Sequence, residues 1–282
     1  MPTFDTTDPI SVTLDLGFVA ANVRVTASDR TDTTVEIRPI DPNSKNDLKV
    51  AERTRVEYAD GTLTLTAPKL SSMFGRSGSI DVTIELPTGS RVQGSTGMGE
   101  LRADGQLGEC RLKTGFGDIR LHEVGVANLN TGSGAVSVDR AGGDTEVTTG
   151  SGAVHLRHID GTATVRNSNG DSWIGEATGD VRVNAANGAI TVERAHAGVT
   201  AKTALGNIRI GEVARGAVVL ETAAGSLDVG VRGGTAAWLD LRTVAGRVHN
   251  ELATAAGPDP TDADTVEVRA RTHVGDITVR RP

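Results

Sequence analysis

The sequence has little of what many folds and catalytic sites need. It contains a single cysteine, Cys110, among 282 residues, which excludes an intramolecular disulfide and a cysteine-rich metal site. Aromatic residues make up only 2% of the chain, so Val, Ile, Leu and Ala must fill any core. No apolar run approaches the roughly 20 residues that a membrane-spanning helix requires. We therefore expect neither a disulfide-stabilised fold nor a helical membrane span.

Basic charge is also in short supply. There are 36 Asp and Glu residues against 29 Lys and Arg residues, and the formal net charge is −7. Phosphate backbones attract basic surfaces, so we predict no nucleic-acid partner. Residues 1–9 are polar and include Asp5 and Asp8, whereas a secretory signal has a basic start and an apolar run. We expect a cytoplasmic protein.

Glycine, in contrast, is abundant, and it marks an internal repeat. The marker glycines recur every 17 to 19 residues from Gly99 to Gly225, and then after 21 and 29 residues. Thr stands three positions before most of these glycines, with Asn or Ala in two units, and residues that are mostly aliphatic follow the glycine by two and four positions. Apolar and polar residues thus alternate with a period of two in each unit, which predicts strands with one buried face. The marker glycines are Gly99, Gly117, Gly134, Gly152, Gly170, Gly188, Gly206, Gly225, Gly246 and Gly275.

These units are too small to bury a core alone, but stacking each unit on the one before it would align like residues in ladders. We therefore predict an all-β fold, a right-handed or flattened β-solenoid of about 18-residue coils. An antiparallel β meander is the alternative, because alternating strands and turns also permit it.

The N-terminal region departs from the repeat. We interpret residues 1–77 as a β-rich cap or irregular first coils, and residues 78–282 as the β-strand repeat solenoid. Asp60 and Gly61 stand between two alternating stretches and predict a hairpin turn. Residues 71–78 and 253–264 are rich in Ser, Gly, Ala, Pro and Asp, and we predict loops there.

The repeat motifs carry a resemblance to a known family. The sequence Thr-Gly-Ser-Gly-Ala-Val occurs at 131–136 and 149–154, Asn-Ser-Asn-Gly-Asp at 167–171, and Gly-Asp-Ile-Thr-Val at 275–279. With the segment Ile-Asp-Val-Thr-Ile-Glu-Leu-Pro at 80–87, they resemble the bacterial β-strand-repeat adhesin family, domain of unknown function 4097. The resemblance covers essentially the whole chain. It implies a β-solenoid-like fold with no established activity and no catalytic residue.

Motifs of catalysis and cofactor binding are missing. The chain has no phosphate-binding loop, no His-Glu-x-x-His and no Gly-x-Ser-x-Gly. Cys110 lies in an inward column and is predicted to be a buried structural thiol, since reactive thiols need exposure and cationic neighbours. His155 and His158 are predicted to be solvated or turn residues rather than metal ligands. We predict no enzyme, no cofactor and no metal site.

Two sets of acidic or amide side chains could in principle bind a cation or act as a carboxylate row. Turn chemistry explains the side chains that directly follow the marker glycines. The loop carboxylates lack the spacing of a calcium-binding hand and are predicted to be solvated. The first set is Asp118, Asp171, Asn207 and Asp276, and the second is Asp259, Asp262 and Asp264.

The outward column three residues after the marker glycine holds the candidate binding residues. Tryptophan and arginine are frequent hot-spot residues of interfaces, and an ordinary solvated sheet face is the alternative interpretation. The candidates are Arg102, Arg120, His155, Trp173 and Arg209.

We predict a non-enzymatic scaffold or protein-interaction module that binds a protein partner or a second copy of itself. A surface adhesin or glycan-binding protein is the first alternative, although scarce aromatics disfavour sugar stacking. A polysaccharide-active enzyme is the second alternative and would require a cluster of carboxylates in a groove.

Overall fold

The structure, a computed structural model, describes residues 2–68, 78–252 and 264–282. The chain forms two compact units, residues 1–142 (unit 1) and 143–282 (unit 2). Strands dominate both units, as the period-two alternation predicts. No helix within the described residues is long and apolar enough to cross a membrane.

Unit 1 contains short N-terminal strands, one helix and the first repeat strands. Apolar side chains alternate along these strands, so one side of each strand faces the core. The strands are β1 (Thr3–Asp5), β2 (Ser11–Asp15), β3 (Ala20–Ser28), β4 (Asp32–Pro39), β5 (Arg55–Ala59), β6 (Thr62–Thr66), β7 (Ser79–Pro87), β8 (Arg91–Met98), β9 (Leu101–Phe116), β10 (Ile119–Ser133) and β11 (Val136–Ala141), and the helix is α1 (Lys45–Arg53).

The strands of unit 1 form two rows. One row has the order β1, β4, β7, β3, β9, β10, β11, and the other has the order β5, β6, β2, β8, β9, β10. The long strands β9 and β10 belong to both rows: the first part of β9 pairs with β3 and its last part with β8. Among the described residues, antiparallel pairing is confined to β1–β4, β4–β7 and β5–β6. Antiparallel strands therefore close the N-terminal end of both rows.

Two local features belong to this N-terminal region. The predicted hairpin is confirmed: β5 and β6 are joined by Asp60 and Gly61, whose φ angles are 49° and 72°, as a tight hairpin turn requires. Helix α1 was not predicted. Its N-cap is Ser44, whose hydroxyl donates to the Asp47 carboxylate over 2.9 Å and accepts from the Asp47 N–H, a capping arrangement that the sequence does contain. The predicted domain boundary at residue 77 lies outside the described residues and stays a prediction.

Unit 2 consists of repeat strands. Its strands are β12 (Thr145–Ser151), β13 (Val154–Ile159), β14 (Ala163–Asn169), β15 (Ser172–Ala177), β16 (Val181–Asn187), β17 (Ile190–Ala195), β18 (Val199–Leu205), β19 (Ile208–Val213), β20 (Gly216–Ala224), β21 (Leu227–Val231), β22 (Ala236–Ala245), β23 (Val248–Asn250), β24 (Thr265–Val274) and β25 (Ile277–Arg280).

Each even-numbered strand of unit 2 runs into the following odd-numbered strand, and the two form one rung. Even strands stack in the order β12, β14, β16, β18, β20, β24, β22, and odd strands in the order β13, β15, β17, β19, β21, β25, β23. Every pairing within these two rows is parallel. The predicted all-β solenoid is confirmed, and the meander alternative is wrong for unit 2. The winding hand stays a prediction.

The core of unit 2 is built from ladders of like aliphatic residues. In-register neighbours one rung apart are fully buried, which contributes about 0.8 kcal/mol for each methylene group removed from water. One ladder contains Val165, Val183 and Ala201, and another contains Ile174, Val192 and Ile210.

The last two rungs are stacked in the reverse of their order along the chain. Strand β24 lies between β20 and β22, and β25 lies between β21 and β23. The expectation that rungs stack in chain order is therefore wrong at this end, and β22 with β23 forms the last rung, called the end rung below. Arg281 holds the inserted C-terminal strands by donating to the carbonyl groups of Val231, over 3.2 Å, and of Thr235, over 3.0 Å. The spacing between marker glycines widens to 21 and 29 residues in the part of the chain where this exchange occurs.

Candidate functional site

Most of the polar groups that could have served catalysis hold the scaffold together instead. The four acidic or amide side chains that directly follow marker glycines each accept a hydrogen bond from a backbone N–H of the neighbouring rung, over 2.8 Å in every case. The turn interpretation is therefore confirmed, and these oxygens do not form an open carboxylate row. The pairs are Asp118 with Ala135, Asp171 with Ala189, Asn207 with Ser226, and Asp276 with Arg247.

The single thiol is inaccessible. Cys110 is completely buried, in register with Val92 and Ala127. Burial raises the pKa of this thiol to about 12, so the reactive thiolate is scarce at neutral pH. The prediction of a structural cysteine is confirmed.

No metal centre is formed by the part of the chain that the structure describes, where no three His, Cys, Asp or Glu side chains are grouped closely enough to hold an ion. Asp259 and Asp262 of the predicted acidic loop lie outside the described residues. The backbone carbonyl of Asp264 accepts from the N–H of Ala236 over 3.0 Å, and so joins the start of β24 to the end rung.

A compact polar network surrounds Glu176 in unit 2. One carboxylate oxygen lies 2.7 Å from His196 Nε2, and the other lies 3.4 Å from Arg194 and 3.5 Å from His158. The hydrogen bond from His196, together with the nearby cations, lowers the pKa of Glu176 below its ordinary value. His158 also contacts Asp160 over 2.8 Å. His158 is half-buried on β13 within this polar network, so the prediction of a solvated or turn histidine is wrong for this residue.

The predicted binding column is divided between the two units. In unit 1, Arg102 and Arg120 are exposed in-register neighbours on β9 and β10. Each guanidinium has acidic partners: Arg102 contacts Asp104 over 2.9 Å, and Arg120 contacts Glu100 over 2.7 Å. Carboxylates on the same face thus offset the repulsion between the two neighbouring guanidinium groups.

The other three predicted residues lie in unit 2. His155 and Trp173 are in register, and their ring centroids are 6.2 Å apart. Trp173 is only partly exposed, because its Nε1 donates to Glu193 over 3.3 Å and its ring lies against Gly175. Arg209 is exposed and lies 3.9 Å from Asp228. Trp173 is therefore anchored in the sheet face rather than freely presented.

The large exposed apolar residues lie elsewhere. Among the described residues, no aromatic side chain belongs to the buried core. Phe18, Phe116 and Trp238 are instead 80%, 61% and 59% exposed, a cost in solvation that a partner surface would relieve. In unit 1, Phe116 is in register with Met98, which is itself 54% exposed.

In unit 2, the exposed apolar residues concentrate on the end rung. Trp238 is 59% exposed, Val244 81% and Val248 45%. Leu239 and Leu241 face inward but are only half-buried, whereas their in-register neighbours one rung deeper are fully buried. In the described part of the chain β22 pairs only with β24, so its other edge has no strand beside it. The aliphatic core therefore ends in an open layer.

A groove of about 950 Å³ leads along the surface of unit 2 to this end rung. Its floor includes the small side chains of Ala204 and Ala223, and Lys202 forms an ion pair with Glu221 over 2.9 Å beside it. Val244, which belongs to the end rung, also lines the groove. The groove and the open edge thus form one continuous accessible region.

Sequence reasoning missed the end rung because it assumed that rungs stack in chain order. Two signals pointed to it. The marker spacing widens to 21 and then 29 residues around this rung, and Asn250 stands in a column that is otherwise mostly apolar. The polar Asn250 is expected where the structure describes no neighbouring rung on one side, since an inward position there no longer faces a closed core.

Comparison with solved structures gives distant likenesses. The chain is similar to a proposed adhesin from Parabacteroides merdae at 16% identity, with 81% of this chain and 94% of that chain covered and a TM-score of 0.47. A proposed adhesin from Bacteroides fragilis is 13% identical, with coverages of 99% and 95% and a TM-score of 0.34. A proposed lipid-binding protein from Parabacteroides distasonis is 11% identical, with coverages of 98% and 95% and a TM-score of 0.26.

No curated protein sequence matches the chain. The family model described as Toastrack DUF4097 matches residues 12–280, nearly the whole length. The resemblance drawn from the repeat motifs is thereby confirmed. This chain belongs to the Toastrack DUF4097 family.

Proposed function

We propose that this chain is a non-enzymatic protein-interaction module that binds its partner through the open edge of the end rung. The observation that carries the proposal is the edge itself. Strand β22 spans ten residues, Ala236–Ala245, with no strand of the described residues paired to one of its edges and with Trp238 and Val244 largely exposed. A partner strand would satisfy the backbone groups and cover these side chains at the same time.

The backbone of β22 favours this mode of binding. The N–H of Ala236 donates to Asp264 on the β24 side. Because N–H and C=O groups alternate in direction along a strand, those of Ala237, Leu239, Leu241 and Thr243 point to the open side. Unpaired groups of this kind are a template for another strand.

The positions of the other polar groups support a non-enzymatic role. The carboxylates and amides after the marker glycines hold backbone N–H groups, Cys110 is buried, and Glu176 is engaged with His196 and Arg194. A polysaccharide-active enzyme would need paired carboxylates facing a substrate groove, whereas the groove of unit 2 contains Glu221 in an ion pair with Lys202.

The test compares the two tryptophan surfaces of unit 2. The tagged protein is cross-linked and its complexes, with a second copy or with another protein, are identified for three forms. These are the unchanged protein, the double variant Trp238→Ser/Val244→Lys at the open edge, and the control Trp173→Ala. We expect the complex to persist in the control and to be lost in the edge variant. Loss in the control with retention in the edge variant would instead assign binding to the Trp173 face.

An adhesive or glycan-binding role is the second candidate, and one observation in unit 1 favours it. Phe18, Met98 and Phe116 are all more than half exposed, and aromatic faces can stack on sugar rings. A panel of immobilised glycans tests this role with the variant Phe18→Ser/Phe116→Ser. Sugar binding that the variant loses would support adhesion, and the absence of any bound glycan would contradict it.

We propose the cytoplasm as the site of action, because a protein with one buried cysteine needs no oxidising compartment to fold. Cell fractionation tests this location. Protein recovered from the cell surface would contradict it and would favour the adhesive role.

A further inference from the structure

We propose that the partner at the open edge is a second copy of this chain, bound by antiparallel pairing of the two β22 strands about a two-fold axis at Leu241. This inference rests on the proposed interaction role of the end rung. It assigns the partner and the register of the pairing.

The charges along β22 favour a second copy of this chain as the partner. Asp240 and Arg242 stand two residues apart on its outward face, 3.0 Å from each other in one copy. When two such strands run antiparallel with Leu241 opposite itself, Asp240 of each copy lies opposite Arg242 of the other. Opposite charges that face each other across two strands stabilise the pair.

The exposed apolar residues of β22 favour the same register. In the same register, Trp238 of one copy lies opposite Val244 of the other. These two side chains are 59% and 81% exposed in the single chain. Cross-strand aromatic and β-branched pairs are among the favourable ones, so the pairing covers the two most exposed apolar groups of β22.

The inward side chains and the backbone groups of β22 also fit this pairing. Leu241 lies opposite its own copy and Leu239 opposite Thr243, so the aliphatic layer of one end rung continues into the other. Leu241 is one of the residues whose N–H and C=O point to the open edge, as follows from the bond between Ala236 and Asp264. The two copies of Leu241 would therefore exchange both of their backbone hydrogen bonds, as a hydrogen-bonded antiparallel pair does.

Neighbouring registers are disfavoured by the same residues. Centring the pair on Asp240 would place Asp240 opposite itself, and centring it on Arg242 would place two arginines in contact. A slip by one residue would bring inward positions to the outer face. Because Asp240 and Arg242 are the only charged residues of β22, the register centred on Leu241 is the one that places opposite charges across from each other. The arrangement is isologous and closes at a dimer.

The charge pattern allows a complementation experiment. Asp240→Lys places positive charge opposite Arg242 of the other copy, and Arg242→Glu places negative charge opposite Asp240. We expect each variant alone to dimerise about tenfold more weakly or worse than the unchanged chain. Mixed in equal amounts, the two variants should form a heterodimer, because lysine at position 240 of one then faces glutamate at position 242 of the other.

Light scattering after size exclusion and analytical ultracentrifugation provide the readout. The matched control is Arg182→Glu, since Arg182 contacts Asp180, two residues before it in the chain, over 2.9 Å, as Arg242 contacts Asp240, but lies in an inner rung. The control should dimerise like the unchanged chain. Thermal unfolding of each variant checks that the end rung is folded. If Asp240→Lys fails to fold, the comparison of Arg242→Glu with Arg182→Glu still tests whether the dimer depends on the charges of β22.

An unchanged chain that stays monomeric up to its solubility limit would overturn this inference, as would a dimer that Arg242→Glu and Arg182→Glu affect equally. If the chain is monomeric but captures a different protein that the edge variants lose, the second copy is excluded while the interaction role stands. If no complex of either kind depends on the edge, both proposals fail.

Discussion

At the residue scale, the marker glycines leave no room for a side chain. Gly188 has a φ angle of +130°, and a Cβ added to it would lie 2.2 Å from the carbonyl oxygen of Gly170 in the adjacent rung. We expect Gly188→Ala to lower the free energy of unfolding by about 3 kcal/mol or more, through backbone strain and collision. Urea unfolding measures this loss. Gly233→Ala is the control, because nothing lies within 4 Å of its added Cβ; equal losses in both variants would contradict the account.

The same scale governs the single thiol. Because burial raises the pKa of Cys110 to about 12, we expect no reaction with a thiol reagent in the native protein near neutral pH and complete reaction in denaturant. The colour released by Ellman's reagent measures both. Rapid labelling of the native protein would show that this part of unit 1 opens readily.

At the element scale, one ladder of unit 2 has a longer side chain than usual in one rung and a smaller one in the next rung. Asn167 stands where most repeats have Thr, and its amide donates to the carbonyls of Gly152, over 3.1 Å, and of Gly170, over 2.9 Å. Its in-register neighbour in the next rung is Ala185, which has no donor. The longer side chain thus supplies hydrogen bonds to two rungs and requires a small neighbour.

A double-mutant cycle tests this coupling. Asn167→Thr removes the bond to Gly170, and Ala185→Thr crowds Asn167, so each should lower the free energy of unfolding by about 1 kcal/mol. Together they restore the usual threonine ladder, and the combined loss should fall short of the sum by about 1 kcal/mol. Strict additivity in chemical denaturation would contradict the coupling.

The network around Glu176 predicts a dependence on pH. Because its pKa is lowered in the folded protein, the carboxylate contributes stability above its unfolded pKa, and this contribution is lost as pH falls through its folded pKa. We expect Glu176→Gln to lose less stability than the unchanged protein between about pH 7 and about pH 3. Unfolding curves at each pH measure the difference, and Glu57→Gln on exposed β5 is the control. Parallel curves for all three proteins would refute a role for Glu176.

Particular elements show what could be predicted from sequence. The rungs of unit 2 followed from period-two alternation and from glycine spacing, because both report local geometry. Helix α1 was missed because its sequence signal is a single capping pair, Ser44 and Asp47, which lies in a region predicted to be β-rich. The exchange of the last two rungs was missed because it depends on which strands pair over long range, and the widened glycine spacing marks these rungs as different without showing which strands pair. The open edge at Trp238 was missed for the same reason.

At the scale of the whole molecule, the proposed association depends on one end of unit 2. Inner rungs are covered on both sides, whereas β22 presents a half-buried aliphatic layer, backbone groups that no described strand pairs with, and the charge pair Asp240 and Arg242. We therefore expect self-association to saturate at a dimer rather than continue into fibres, since an isologous contact uses the edge of both copies.

The most direct measurement of this account is disulfide trapping of Leu241→Cys under mild oxidation. The two-fold register places both copies of position 241 about 5.5 Å apart between Cα atoms, within reach of a disulfide. Buried Cys110 should not take part. Leu239→Cys is the control, since its own copy would lie about 13 Å farther along the strand than its partner Thr243. The account predicts a covalent dimer for Leu241→Cys and none for Leu239→Cys. Equal trapping of both variants, or of neither, would contradict it.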